Sequence, residues 1–278
     1  MRNSCAPKPR PSPKFPHPQH TIQTPTTQYK GEPTPDNWPC INSHFGVLDM
    51  AGFEKDSAGY YRAWWRADGA ASVFASPRDW TLPVPVGASI PLFAFTAAPF
   101  AEAIVNGVSQ GRANVSAYGF AAWPPVPFAP GSFVVRAFDA SGTAVAEETI
   151  ATAGAPTALR LQVETIGARP LAADGADVAL VSAAVVDAAG AVVPGAAHEI
   201  TWAVSGEGRL YGLANGKSND LTPDKVGHPD LPYGGVWRRG AYMGRARAVV
   251  MTTTTAGAIH LSASAPGLQT GNVTFLSQ

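Results

Sequence analysis

The residue types best suited to chemistry crowd into one stretch of this 278-residue chain. "GEPTPDNWPCINSHFGVLDMAGFEKD", Gly31 to Asp56, holds the carboxylates Glu32, Asp36, Asp49, Glu54 and Asp56 together with Trp38 and His44, and "YYRAWW", Tyr60 to Trp65, follows it. Carboxylates and imidazoles serve acid–base work, and an indole offers a broad face for stacking. Pro33, Pro35 and Pro39 restrict the backbone around these groups, which a simple connector would not require. Other chemistries find no pattern. His228 and His260 lie far apart without a third ligand, which gives no zinc site. No phosphate-cradling glycine loop is present, and neither a metal nor a cofactor is expected.

The elements that must position these groups are unequal. In "EKDSAGYYRAWWRA" the residues Tyr60, Tyr61, Trp64 and Trp65 fall at helical spacing, which predicts a short helix with an aromatic core face, capped by Asp56 or Ser57. Residues 1–26 carry seven prolines, four basic residues and no acidic one. Proline fixes φ and removes a backbone donor, so this segment is expected to be an extended, disordered tail.

From about residue 82 the pattern becomes β-like. "SIPLFAF", "SFVVRAFDASGTAVAEETI", "DVALVSAAVVDAAGAVV", "HEITWAVSGEGRLYGLANG" and "RARAVVMTTTT" are β-branched and aromatic runs broken by Gly, Pro, Asn and Asp at sandwich-like spacing. Two hairpins use one device, Asp139-Ala140-Ser141-Gly142 and Asp187-Ala188-Ala189-Gly190, where glycine takes positive φ as the chain reverses. Asn106-Gly107 predicts a third tight turn. The polar "TAGAPTA", Thr152 to Ala158, marks a boundary between two sandwiches. Inside the second, Asn215 to Gly244 is a long run of turn formers and charges, a loop length usually reserved for function. Tyr233, Trp237, Arg238 and Arg239 are its candidates for contact with a sugar or a neighbouring domain.

Formal net charge is zero and charged residues make up only 14% of the chain, so neither nucleic acid nor an anionic membrane is an expected partner. The 45% hydrophobic content is ample for packed cores. No apolar run approaches the roughly 18 residues that span a bilayer, and the N-terminus lacks the apolar core of a secretory signal. Cys5 and Cys40 form no metal pattern, and the compartment stays open.

"YKGEPTPDNWPCINSHFGVLDMAGFEKDSAGYYRAWW" closely resembles the end of the (β/α)₈ barrel in glycoside hydrolase family 2, the β-galactosidase-like group. "AEAIVNGVSQGRANV" with "VPFAPGSFVVRAFDASGTAVAEETIATAGAPTALRL" resembles the domain after that barrel, and "VSAAVVDAAGAVVP", "ITWAVSGEGRLYGLANG" and "RRGAYMGRARAVV" resemble the following C-terminal sandwich. The resemblance covers about residues 29–278. It implies a mainly β chain: two immunoglobulin-like β-sandwich domains, 76–154 and 157–278, preceded by a remnant strand-loop-helix of a (β/α)₈ barrel, 27–72, and the tail, 1–26.

Family members cleave β-linked sugars with two opposed carboxyl groups, about 5 to 5.5 Å apart in retaining enzymes. The resemblance puts both on earlier barrel strands. The expectation is therefore the C-terminal part of a longer enzyme, with no catalytic residue of its own and inactive by itself. By the same resemblance Glu32 would accept hydrogen bonds from a β-galactoside, Trp38 would stack on its apolar face and His44, at a barrel loop, would contact the substrate, all within a complete barrel. An oligomer or the missing barrel would be the protein partner. The other reading from the residues is a non-catalytic carbohydrate-binding or scaffold sandwich module. This chain also departs from the pattern: "TPTTQ" precedes Tyr29 where the family has Trp-Thr-Gly-Phe-Asp, Glu54 stands where Pro prevails, and Ala51 where Cys is common.

Overall fold

The computed structural model describes residues 46–164, 169–227 and 236–278. Glu32, Trp38, His44 and Tyr233, both cysteines and the proline-rich tail lie outside the described residues. A short bridged loop, Leu48 to Glu54, leads into α1 (Ala58–Trp65) and a 3₁₀ turn (Gly69–Ala71).

Seven strands follow: β1 (Phe74–Ser76), β2 (Ser89–Phe95), β3 (Phe100–Val105), β4 (Val108–Asn114), β5 (Ala121–Pro127), β6 (Ser132–Phe138) and β7 (Ala144–Ala151). They form two antiparallel sheets, β1-β2-β5 and β4-β3-β6-β7. The remaining strands are β8 (Ala158–Glu164), β9 (Val178–Val186), β10 (Glu199–Gly206), β11 (Gly208–Ala214), β12 (Trp237–Gly240), β13 (Arg245–Thr252), β14 (Gly257–Ser264) and β15 (Gly271–Ser277). These build the sheets β12-β10-β14-β15 and β11-β13-β9-β8. The expected mainly β architecture of two sandwiches is what the chain adopts.

Alternation explains the layers. Along β3 and β6 every second residue is buried, and β9 repeats the pattern over nine residues. The alanine abundance has a packing reason. Ala94, Ala101, Ala103 and Ala137 line the first core, and their small side chains leave room for Trp80 and Phe133, both fully buried. In the second core Trp202, Ile200, Leu213 and Ile259 fill the same role over Ala183, Ala246 and Ala248.

The two Asp-x-x-Gly hairpins are copies in atomic detail. Oδ1 of Asp139 accepts from the amides of Ser141 and Thr143, each at 2.9 Å, and Oδ1 of Asp187 accepts from Ala189 and Ala191, each at 2.9 Å. Gly142 at φ 86° and Gly190 at φ 82° complete the reversals.

The helix corrects two expectations. Ser57 occupies the N-cap position without a side-chain cap bond, and the Asp56 carboxylate instead accepts from the Ser76 hydroxyl at 3.3 Å. The buried helical positions are Ala58, Gly59 and Ala63, with the aromatics flanking them. Close approach is the cause: a Cβ on Gly59 would lie 2.6 Å from Phe74 Cβ, so only small residues fit between α1 and β1.

Candidate functional site

The charged and aromatic residues converge on the seam where the segment Gly46 to Arg66 lies across both sandwiches. At its start Asp49 shapes a tight loop, Oδ1 accepting from the amides of Ala51 at 2.9 Å and Phe53 at 2.8 Å. Its Oδ2 is buried without a hydrogen-bond partner among the described residues, against Gly216, where a Cβ would sit 2.1 Å away. Burial raises the Asp49 carboxyl above its ordinary value and lowers the nearby Lys55 ammonium below its own.

Arg247 on β13 locks this loop to the second sandwich. Nη1 donates to the Ala51 carbonyl at 2.6 Å, and Nη2 lies 2.7 and 2.6 Å from the two oxygens of Glu164 at the end of β8. The same guanidinium sits 4.4 Å from the centre of the Phe53 ring, a cation–π contact, with Arg245 at 5.6 Å. Gly52, at φ 80°, makes the approach possible, since a Cβ there would meet Nη1 at 2.5 Å.

The helix holds the first sandwich. Tyr60 donates its hydroxyl to the Tyr118 carbonyl at 2.8 Å, and Trp64 Nε1 donates to Gly119 at 3.0 Å. From here a chain of edge-on aromatic contacts runs over the outer face of β1-β2-β5: Phe93–Phe120 at 5.6 Å, Phe120–Phe95 at 6.2 Å, Phe95–Tyr60 at 6.0 Å, Tyr60–Tyr61 at 5.7 Å and Tyr61–Trp65 at 4.6 Å. Trp65 ends the series 75% exposed, and Tyr118, 5.2 Å from Trp64, is 61% exposed.

A charge cluster fills the corner between loop, helix and sandwich. Glu54 pairs with Arg62 and, at 3.3 Å, with Arg78, and Glu148 on β7 lies 3.8 Å from Arg78 while accepting from the Ala75 amide at 2.5 Å. Burial raises Asp56, and burial together with the Asp56 charge pushes Asp79 up to about 7. The linker is pinned as well: the Ala153 amide donates to Thr81 Oγ1 at 2.8 Å, and the Gly154 amide to Asp187 Oδ2 at 2.7 Å. Glu54, Asp56 and Glu148 thus accept from guanidinium, hydroxyl and backbone partners that fix the course of the chain, and Asp49 Oδ2 is the exception.

The sequence candidates fall away from this seam. Trp237 on β12 stands opposite Trp202 in register and packs half-buried on the second core, while Arg238 is exposed, 3.6 Å from Glu199. Arg239 is no sugar contact. It is buried, and its guanidinium donates to the carbonyls of Leu213, Thr222 and Pro223 and to Asp224, pinning the loop that follows Asn215. Sequence reading missed Arg247, whose one signal is an arginine in the apolar strand "RARAVV".

Residues 161–274 match glycoside hydrolase family 2 C-terminal domain 5, and residues 87–146 match a domain of unknown function, DUF4982. The β-galactosidase BoGH2A of Bacteroides ovatus is 33% identical over 243 residues, which is 87% of this chain and 26% of that protein. The chain thus spans about a quarter of the length of this curated relative. In fold it is similar to a β-glycosidase from Bacteroides vulgatus (24% identity, TM-score 0.73, 86% of this chain and 29% of the other). A glycosyl hydrolase family 2 member from Bacteroides cellulosilyticus is also similar (18% identity, TM-score 0.68, 84% and 31%). The relatives are glycoside hydrolases, enzymes of carbohydrate substrates. Sequence and fold agree that this chain carries a C-terminal β-sandwich region of the glycoside hydrolase family 2 type.

Proposed function

We propose that this chain is the C-terminal accessory region of a β-galactosidase-type glycoside hydrolase, and that its helix segment is the surface on which the catalytic body rests. In this reading residues 27–72 end the barrel, 76–154 and 157–278 are the two immunoglobulin-like domains, and Glu32, Trp38 and His44 lie toward the β-galactoside. Tyr233 and the exposed Arg238 of β12 would reach a neighbouring domain, with Trp237, half-buried on the second core, supporting that edge. Hydrolysis itself, by the two-carboxylate retaining route, belongs to the part of such an enzyme outside this chain.

The observation that carries the reading is the aromatic series from Phe93 to Trp65. A contiguous half-exposed aromatic band on the outside of a sandwich marks a surface that another body covers. The seam beneath it is rigid, being fastened to both sandwiches, so the band is presented in a fixed orientation.

A chimera tests this. The matched region of β-galactosidase BoGH2A is replaced by residues 29–278 of this chain, and β-galactosidase activity is assayed with a chromogenic substrate. The expected outcome is a soluble chimera with activity, reduced by Trp65→Ser and Tyr61→Ser. A soluble but inactive chimera beside an active parent would overturn the proposal, as would hydrolysis of the substrate by the 278-residue chain alone. Glycan-array binding by this chain alone would favour the binding-module reading instead.

A further inference from the structure

We propose that the outer face of the sheet β4-β3-β6-β7 is an interface for a second copy of this chain, the two faces meeting about a two-fold axis that runs along the strands between β3 and β6. The inference is independent of the β-galactosidase reading and uses a different surface from the aromatic band.

Burial separates the two sides of this sheet. Ala101, Ala103 and Val105 of β3 and Phe133, Val135 and Ala137 of β6 line the first core, so the residues between them point outward. The solvent side of an antiparallel sheet is ordinarily polar. Here the two central strands place Phe100, Ile104, Val134 and Phe138 on it, with Phe100 opposite Phe138 and Ile104 opposite Val134. Between these two apolar pairs one charged row crosses all four strands: Arg112 on β4, Glu102 on β3, Arg136 on β6 and Glu147 on β7. The row is held in place. Ser109 Oγ donates to Glu102 Oε1 at 2.6 Å, Arg136 pairs with Glu147, and the Arg112 guanidinium lies 3.8 Å over the centre of the Phe138 ring.

The order of the row selects the partner. From β4 to β7 the signs run plus, minus, plus, minus, so reversing the row exchanges every charge for its opposite. A two-fold axis along the strands does this: Arg112 faces the partner's Glu147, and Glu102 faces the partner's Arg136. The same operation sets Phe100 against the partner's Phe138 and Ile104 against the partner's Val134. Such self-complementarity is what a two-fold contact requires. A formal net charge of zero leaves no long-range repulsion between copies. Four strands about 4.8 Å apart, each of about seven residues at about 3.4 Å, give a face of roughly 450 Å² per copy. The roughly 900 Å² that two copies cover falls below the approximately 1,200 Å² of stable complexes, so the dimer is weak and exchanges rapidly.

Sedimentation velocity on the full chain over a concentration series tests this, with Trp65→Ser present throughout so that the aromatic band does not contribute. A monomer–dimer equilibrium is expected, weakening several-fold as salt rises from about 0.05 to 0.5 M. Arg136→Glu sets like charges face to face and should raise the dissociation constant more than about tenfold, and Glu102→Arg should do the same. Mixed in equal amounts, these two variants restore opposite charges along the whole row, so they should pair with each other where neither pairs with itself. A chain that stays monomeric, a dimer indifferent to salt or to either reversal, or folded reversal variants that fail to pair with each other would overturn the proposal. Should the reversals fail to fold, Ile104→Arg serves: it removes no ion pair, and a dimer left unchanged by it refutes the interface.

Discussion

Arg247 reaches across 196 sequence positions to donate to the Ala51 carbonyl at 2.6 Å, with the Phe53 ring 4.4 Å beneath its guanidinium. One side chain of the second sandwich thereby fixes the loop that leads into the helix on the first. Its hold on Glu164 uses one guanidinium nitrogen against two carboxylate oxygens.

Replacing this arginine should loosen the seam. Arg247→Ala is expected to cost about 2–3 kcal/mol, the range for a lost charge-assisted hydrogen bond with its buried acceptor left unmade. Arg247→Lys should recover only part, because an ammonium cannot serve Ala51, Glu164 and Phe53 together. Urea denaturation followed by tryptophan fluorescence measures both.

Gly52 is the complementary position. Its φ of 80° and the 2.5 Å gap to Arg247 Nη1 leave no place for a methyl group. Gly52→Ala should destabilise by about 1–3 kcal/mol. If the double variant with Arg247→Ala costs as much as the two single changes added together, the contact between the two sites is refuted.

Asp187 ties the linker to the second sandwich, and the Gly154 amide, followed by the amides of its own hairpin, holds its carboxyl below the ordinary value of 3.8. A depressed carboxylate stabilises above its unfolded value and loses that contribution as pH falls through its folded one. Wild type should therefore melt above Asp187→Asn at pH 7, with the gap closing below pH 3.8. A gap that stays constant in acid would show the effect to be steric.

Trp65 separates stability from docking. At 75% exposure its change to serine should move stability by less than about 0.5 kcal/mol. Self-association of the isolated chain, followed by light scattering, should fall. Trp202→Ala, in the centre of the second core, should by contrast cost about 3–5 kcal/mol.

By itself the sequence determined the strands, the paired sandwiches and the turns. Alternation along β9, the Asp-x-x-Gly reversals at Asp139 and Asp187, and the Asn106-Gly107 turn, with φ of 50° and 79°, are encoded within a few residues of one another. The aromatic spacing of α1 was equally legible, yet it named the wrong buried face, since the 2.6 Å clearance at Gly59 exists only once β1 is in place. Arg238 and Arg239 are neighbours that look alike in the sequence, one exposed beside Glu199 and the other buried under three carbonyls. Tertiary structure alone decided this, and it alone placed Arg247 over Phe53 and Asp56 against Ser76. Whether a charge is solvated or enclosed depends on partners brought together by chain closure over tens to hundreds of residues, and local spacing carries no record of that.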